Sequence, residues 1–142
     1  MLTTVPLKSA AHLDTPVTDV MHHGAITLPA TATLADAAAT MHDNHVHGVL
    51  ITGTNGSPLG WVTSRGILHN HARDWTVEAS AVHAITEPAA TVAQTATLAD
   101  AMTVFVATSA SHILVVGSAL DKPIGVIADS DLVAFIARNS AP

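Results

Sequence analysis

Cysteine is absent from this sequence of 142 residues, and charged residues are scarce. Without cysteine there is no disulfide, no thiolate metal site and no thiol nucleophile. Only five residues are lysine or arginine, and five scattered cations cannot form the basic surface that holds nucleic acid. We therefore expect no nucleic-acid partner.

Long apolar runs are absent as well. No stretch approaches the roughly 18 consecutive apolar residues that a membrane span needs, and residues 1–15 lack the charged start and apolar stretch of a signal peptide. We expect a cytoplasmic protein with no membrane partner. Apolar residues nevertheless make up 49% of the sequence and its mean hydropathy is +0.42, which argues against disorder and for a folded core.

The most informative feature is an internal repeat. Residues 31–37 (TATLADA) recur letter for letter at 95–101, an offset of 64 positions. Two further blocks, 46–51 and 60–63, recur at offsets of 64 and 65. Three blocks at nearly one spacing indicate a duplicated unit. We divide the chain into an N-terminal segment (1–15), a first copy (16–75) and a second copy (76–142).

Each copy is predicted to contain a strand, a helix, two strands that form a hairpin and a last helix. The first strand is placed at 25–28 in one copy and 90–92 in the other, and short helical lead-ins precede them at 16–21 and 79–85. The helix that follows has a good N-cap threonine in each copy. One copy alone would leave an apolar sheet face uncovered, whereas two copies packed together would bury it.

The first helix of the second copy carries the clearest apolar stripe. Leu98, Met102, Phe105 and Val106 recur at helical spacing, and we expect all four to face the core.

The motifs of both copies resemble those of the tandem cystathionine-β-synthase (CBS) domain family. The matching stretches are 20–21, 26–29, 33–41, 47–51 and 60–67 in the first copy, and 90–92, 97–105, 111–115 and 125–132 in the second. The resemblance implies a mixed α+β fold in which two β-α-β-β-α motifs pack about a pseudo-twofold axis as one compact module. It also implies a homodimer, and a small adenosyl-type ligand bound in clefts between the two motifs.

The joint between the last strand and the last helix is the place where such a ligand would bind. A helix N-terminus offers unpaired N–H groups that suit a phosphate. In the family a hydroxyl at the helix start contacts the phosphate, and a carboxylate three residues on contacts the ribose. The first copy has Thr63 but Gly66, and the second has Asp131 but Ala128. Each cleft is therefore expected to keep one of the two anchors.

Six further residues join Thr63 and Asp131 as candidate ligand-binding residues: Arg65, Asp129, His47, His112, Thr27 and Thr91. His112 stands where family members often carry His or Arg beside the ligand, and we take His47 as the matching position in the first copy. Several have a purely structural alternative. Thr63 and Asp129 could serve only as N-caps, Arg65 as a surface cation, and Asp131 as a carboxylate stabilised by the helix dipole.

We expect a stand-alone regulatory module that binds AMP, ADP, ATP, NAD or S-adenosylmethionine and signals to an effector protein. No motif of a catalytic site is present, so we expect neither an enzyme nor a required cofactor. One alternative is a dimeric scaffold that has lost its ligand. Another is a histidine-based metal protein, since the chain has ten histidines and His42 and His45 share a helix face.

Overall fold

The protein folds into two β-sheets, each covered by two α-helices on one face. The computed structural model describes residues 2–3, 12–71, 78–117 and 122–139. The first half contains β1 (His22–His23), β2 (Thr27–Pro29), α1 (Leu34–Asn44), β3 (Gly48–Thr52), β4 (Pro58–Thr63) and α2 (Ser64–His71). The second half contains β5 (Thr91–Ala93), α3 (Leu98–Thr108), β6 (His112–Val116), β7 (Pro123–Ala128) and α4 (Asp129–Arg138). Short 3₁₀ helices at Val17–Asp19 and Ala81–Ala84 precede the two halves.

The two halves have the same strand pairing. In one sheet the order is β2-β3-β4, with β2 parallel and β4 antiparallel to β3. In the other the order is β1-β7-β6-β5, with β5 parallel and β7 antiparallel to β6. The predicted mixed α+β fold with two β-α-β-β-α motifs is confirmed. Strand β2 begins two residues later than predicted, and β5 begins one residue later.

The duplicated heptapeptide explains why α1 and α3 begin alike. The hydroxyl of Thr33 accepts the backbone N–H of Asp36 at 3.1 Å, and the Asp36 carboxylate accepts the N–H of Thr33 at 2.9 Å. Thr97 and Asp100 form the same reciprocal pair, at 3.3 and 2.9 Å. Such a capping box satisfies two of the N–H groups that a helix start leaves unpaired.

The predicted stripe on α3 needs one correction. Leu98 and Ala101 are fully buried, but Val106 is 79% exposed. At 3.6 residues per turn, Val106 lies about 80° around the helix from Leu98, at the margin of the apolar face. The small side chain of Ala101 lies nearer its centre.

Each half has its core closed by the lead-in of the other half. Val17, in the lead-in of the first motif, is fully buried in the core of the second motif, and its N–H donates to the carbonyl of Ala96 at 2.9 Å. Reciprocally, Ala81 and Ala84 are buried in the core of the first motif, where the N–H of Ala81 donates to Ala32 at 2.9 Å.

A glycine lies beneath each crossing lead-in. A Cβ on Gly60 would stand 2.4 Å from Ile85 Cγ2 and 2.8 Å from the carbonyl oxygen of Glu87. A Cβ on Gly125 would stand 2.5 Å from Met21 Sδ and 2.7 Å from the carbonyl oxygen of His22. These two positions of the repeat therefore require glycine because backbone passes directly over them.

In the part of the chain that the structure describes, no helix has the length and apolarity to span a bilayer.

The close approach at Gly60 gives a stability prediction. Gly60→Ala should lower the free energy of unfolding by about 2 kcal/mol or more, since the new methyl group meets backbone and the site has φ +156°. Gly53→Ala is the matched control, because its Cβ would meet no neighbour closer than 3.5 Å. Urea denaturation measures both, and equal small effects would contradict the crossing.

Candidate functional site

The two sheets meet face to face along a small apolar seam. Leu50, Trp61 and Leu114 form its buried centre, while the alternating neighbours Val49 and Ile51 enter the core beneath the helices. Because side chains of a strand point alternately to its two faces, each central strand serves one core and the seam at once. The seam is short, and two adjoining open clefts lie beside it.

The seam is not symmetric. The ring of His112 stacks on Trp61 with centroids 4.8 Å apart and an angle of 24° between planes. Opposite it stands Gly48, where a Cβ would lie 2.9 Å from His112 Cε1. Gly48 and His112 are the first residues of β3 and β6, so the match proposed between His47 and His112 is wrong. There is room for one imidazole at this point, and its counterpart is glycine.

The first cleft, called here the Thr63 cleft, has a volume of about 630 Å³. The starts of α2 and α4 line it together, and so does the segment that crosses from the second lead-in. Five of the predicted residues meet there: Thr63, Arg65, Asp129, His47 and His112.

The second cleft, called here the Asp131 cleft, has a volume of about 560 Å³. It is lined by β1, by the loop between α1 and β3, and by the start of α4. Asp131 lies there, and His47 and His112 belong to the wall that the two clefts share. Thr27 and Thr91 are exposed on β2 and β5 and line neither cleft.

The duplicated motif matches a known protein family. The CBS domain model matches twice, at residues 17–73 and 79–138. The chain belongs to the CBS domain family. No curated protein gave a significant match.

Solved CBS domain structures share the fold at low sequence identity. A protein of unknown function from Thermoplasma acidophilum has a TM-score of 0.76 at 20% identity, covering 87% of this chain and 70% of its own. A protein from Pyrobaculum aerophilum, solved in complex with AMP, has a TM-score of 0.75 at 21% identity, covering 87% and 98%. Hypoxic Response Protein I, solved with two coordinated zinc ions, has a TM-score of 0.71 at 19% identity, covering 84% and 98%.

The two anchors of the CBS pair both cap helices. The hydroxyl of Thr63 accepts the N–H of Gly66 at 3.0 Å. In the second motif the Asp131 carboxylate accepts the N–H of Ala128 at 2.9 Å, and its other oxygen lies 3.1 Å from His22 Nε2. The start of α2 thus keeps only the hydroxyl bond of a capping box, and the start of α4 keeps only the carboxylate bond. The starts of α1 and α3 have both bonds.

A hydroxyl at position 128 would complete the capping box at the start of α4 and should stabilise the protein. Ala128 precedes α4 with φ −89° and ψ 154°, close to the N-cap geometry of Thr97 in α3. Ala128→Thr should raise the free energy of unfolding by about 1 kcal/mol, because its hydroxyl can accept the N–H of Asp131. The reference variant is Thr97→Ala, which should lower it by about as much. An unchanged urea midpoint for Ala128→Thr would contradict this account.

A hydrogen-bond chain that the sequence did not reveal fixes His112. Ser111 Oγ lies 2.8 Å from each carboxylate oxygen of Glu87 and 2.9 Å from His112 Nδ1. Because a carboxylate only accepts, Ser111 donates to Glu87, and its oxygen accepts from Nδ1–H. This network assigns the proton to Nδ1 and leaves a lone pair on Nε2. The repeat held a signal for Ser111 alone, since an offset of 64 aligns it with His47, which is already a candidate residue in the sequence.

Burial lowers the pKa of His112 below the usual histidine value of 6.5. The negative charges of Glu87, Asp129 and Asp131 act against this shift, and neighbouring His47 adds to it. The neutral ring is therefore the form that the folded seam favours.

The lowered pKa of His112 predicts a pH effect on stability. The unfolded chain binds this proton more readily than the folded chain, so the contribution of His112 is fully present above pH 6.5 and is lost as the pH falls toward the lowered folded value. Urea denaturation at pH 7.5 and 5.5 should show a smaller acid-induced loss in His112→Gln than in the wild type. His12→Gln, at an exposed position, should keep the wild-type loss. An undiminished loss in His112→Gln would exclude this role.

No group of three His, Cys, Asp or Glu side chains that could hold a metal ion occurs among the described residues. His42 and His45 are both exposed at the end of α1, without a third ligand in that part of the structure. The side chain of His71 lies outside the described residues.

Proposed function

We propose that this CBS pair is a regulatory module that binds an adenosyl-type ligand (AMP, ADP, ATP, NAD or S-adenosylmethionine) and signals its occupancy to a partner protein. The observation that carries the proposal is the pair of clefts at the seam, each walled by both motifs and by the start of a helix. The AMP complex of a CBS domain protein with the same fold supports an adenine nucleotide as the ligand class.

The Thr63 cleft offers the elements that a phosphate needs. The N-termini of α2 and α4 both face it, and N–H groups at a helix start favour an anion. Arg65, exposed on the first turn of α2, adds a permanent positive charge. Thr63 accepts from Gly66, so its own O–H remains available to donate to a phosphate oxygen.

The Asp131 cleft offers a ribose acceptor beside apolar walls. An ionised carboxylate has about four lone-pair sites. Asp131 uses one toward Ala128 and one toward His22, which leaves capacity for ribose hydroxyls. Ala25, Ile26 and Val126 line the same cleft and suit the faces of an adenine ring.

A ligand in either cleft would touch both motifs and would therefore restrict their relative movement. This is the physical means by which occupancy could reach a partner. Leu68, Val106 and Val133, on α2, α3 and α4, are 72%, 79% and 64% exposed. These aliphatic side chains support an interface on the helical faces, and we include a homodimer in the proposal.

Calorimetric titration with AMP, ATP, NAD and S-adenosylmethionine tests the binding. We expect at least one to bind, and Thr63→Ala to weaken a phosphate-bearing ligand about tenfold, since a hydrogen bond to a charged group contributes about 1.5–3 kcal/mol. Thr27→Ala is the matched control and should bind like the wild type, because Thr27 lies outside both clefts. Native mass spectrometry of the purified protein reports the number of chains and any retained nucleotide.

The absence of heat from all four ligands at millimolar concentration would overturn the proposal. It would favour the second candidate, a dimeric interaction module without nucleotide. That candidate is supported by the engagement of Thr63 and Asp131 in helix capping.

A further inference from the structure

The Asp131 cleft has an unusual set of polar side chains. Half of the ten histidines of the chain line it, and its described lining residues include neither lysine nor arginine. The five are His22 and His23 on β1, His45 and His47 in the loop after α1, and His112 on β6. Asp131 at the start of α4 is the remaining titratable group that lines it.

The charge of this cleft therefore depends on protonation of imidazoles. With all five histidines neutral, Asp131 makes the formal charge of the lining −1, and protonation of all five would make it +4. Histidine is the side chain that changes charge between pH 5 and 8. An anion would meet a repulsive wall at the upper end of this range and an attractive one at the lower end.

The five histidines differ in their exposure to solvent, and we therefore assign them different roles. His22, His23, His45 and His47 are exposed, so a proton can be accommodated on each of them in contact with water. His22 lies 3.1 Å from Asp131, and its protonation would turn this contact into an ion pair that neutralises the carboxylate. His112 is more buried and stacks on Trp61, so we assign the cationic role to the four exposed rings.

The Thr63 cleft differs in this respect. Arg65 supplies a permanent cation there beside His47, His69 and His112, and Glu87 and Asp129 line the same cleft. With its histidines neutral, the formal charge of this lining is also −1. What distinguishes the Asp131 cleft is that histidines are the only source of positive charge among its described lining residues.

We infer that the Asp131 cleft is a proton-gated anion site, which holds the phosphate of a ligand when its exposed histidines are protonated and releases it when they are neutral. The inference rests on the proposed function for the nucleoside part of that ligand. It adds a regulating variable, since acidification would then raise occupancy of this cleft for phosphate-bearing ligands alone.

Inorganic sulfate is the probe, because its charge stays constant between pH 5.5 and 7.5, whereas the charge of a phosphate ester does not. Sulfate is titrated into the protein while the histidine ring resonances are recorded by NMR. The resonances that shift locate the bound sulfate, and their dependence on sulfate concentration gives the affinity. We expect sulfate to bind at least about tenfold more tightly at pH 5.5, which corresponds to one charge-assisted contact. The largest changes in chemical shift should belong to His22, His23 and His45, which line the Asp131 cleft and not the Thr63 cleft.

Paired histidine variants supply the control. His22→Gln with His23→Gln removes two of the four exposed rings, neither of which lines the Thr63 cleft, and should remove about half of the pH effect. His12→Gln with His42→Gln removes two exposed rings that line neither cleft and should leave the effect unchanged. Equal sulfate affinity at the two pH values, or equal losses in the two double variants, would overturn the inference.

Adenosine, which carries no phosphate, separates this result from the proposed function. If adenosine binds at pH 7.5 while sulfate affinity is independent of pH, the function stands and the proton-gated site does not. If adenosine, AMP and the other adenosyl ligands fail to bind while sulfate shows the pH effect, the anion site stands and the adenosyl function is rejected.

Discussion

Reciprocal closure of the two cores is the constraint on which the rest of the structure depends. Each motif lacks part of its own apolar cover, and the missing part comes from the segment that leads into the other motif. Val17 occupies the core of the second motif, and Ala81 and Ala84 occupy that of the first. The crossing brings backbone so close to Gly60 and Gly125 that no side chain fits. It also places β1 and the Glu87 segment at the cleft edges, where side chains can face a ligand.

The duplicated architecture has to become unequal where the halves meet. Two identical rings cannot occupy one point, so His112 in the second half faces Gly48 in the first. Trp61 is likewise the counterpart of Val126 at the offset of 65 residues, and the large ring lies against the imidazole. The clefts inherit this inequality. Arg65 and Glu87 line one cleft and not the other, whereas His22, His23, His45 and Asp131 line the other and not the first.

Most of the fold could be predicted because the evidence for it is local and occurs twice. The same heptapeptide forms the same capping box at Thr33 and Thr97, and the apolar runs after α1 and α3 form the central strands as expected. The closure of each core by the other lead-in could not be predicted, since Val17 and Ala81 are small apolar residues that fit either core. Strand ends shifted because an extended segment such as 25–29 has no sharp sequence signal at its boundaries.

The site was predictable only in part. The repeat located the helix starts that carry Thr63 and Asp131, and the structure brings both to clefts. Thr27 and Thr91 were selected by motif alone, and their strands hold them away from the clefts. His47 was aligned with His112 because both are histidines beside a strand start, whereas packing decides the match by the space available for a ring. The link from Glu87 through Ser111 to His112 joins residues 24 positions apart, and nothing in their spacing indicates it.

The wall between the clefts has a thermodynamic consequence. His47, His112, Ala128 and Ser130 line both cavities, so an occupant of one cleft contacts residues that also shape its neighbour. Two occupants that share a wall can therefore alter each other's affinity through it. Whatever factor the first occupant imposes on the affinity of the second, the second imposes the same factor on the first. Any cooperativity between two such occupants would arise in this shared wall rather than in a distant relay.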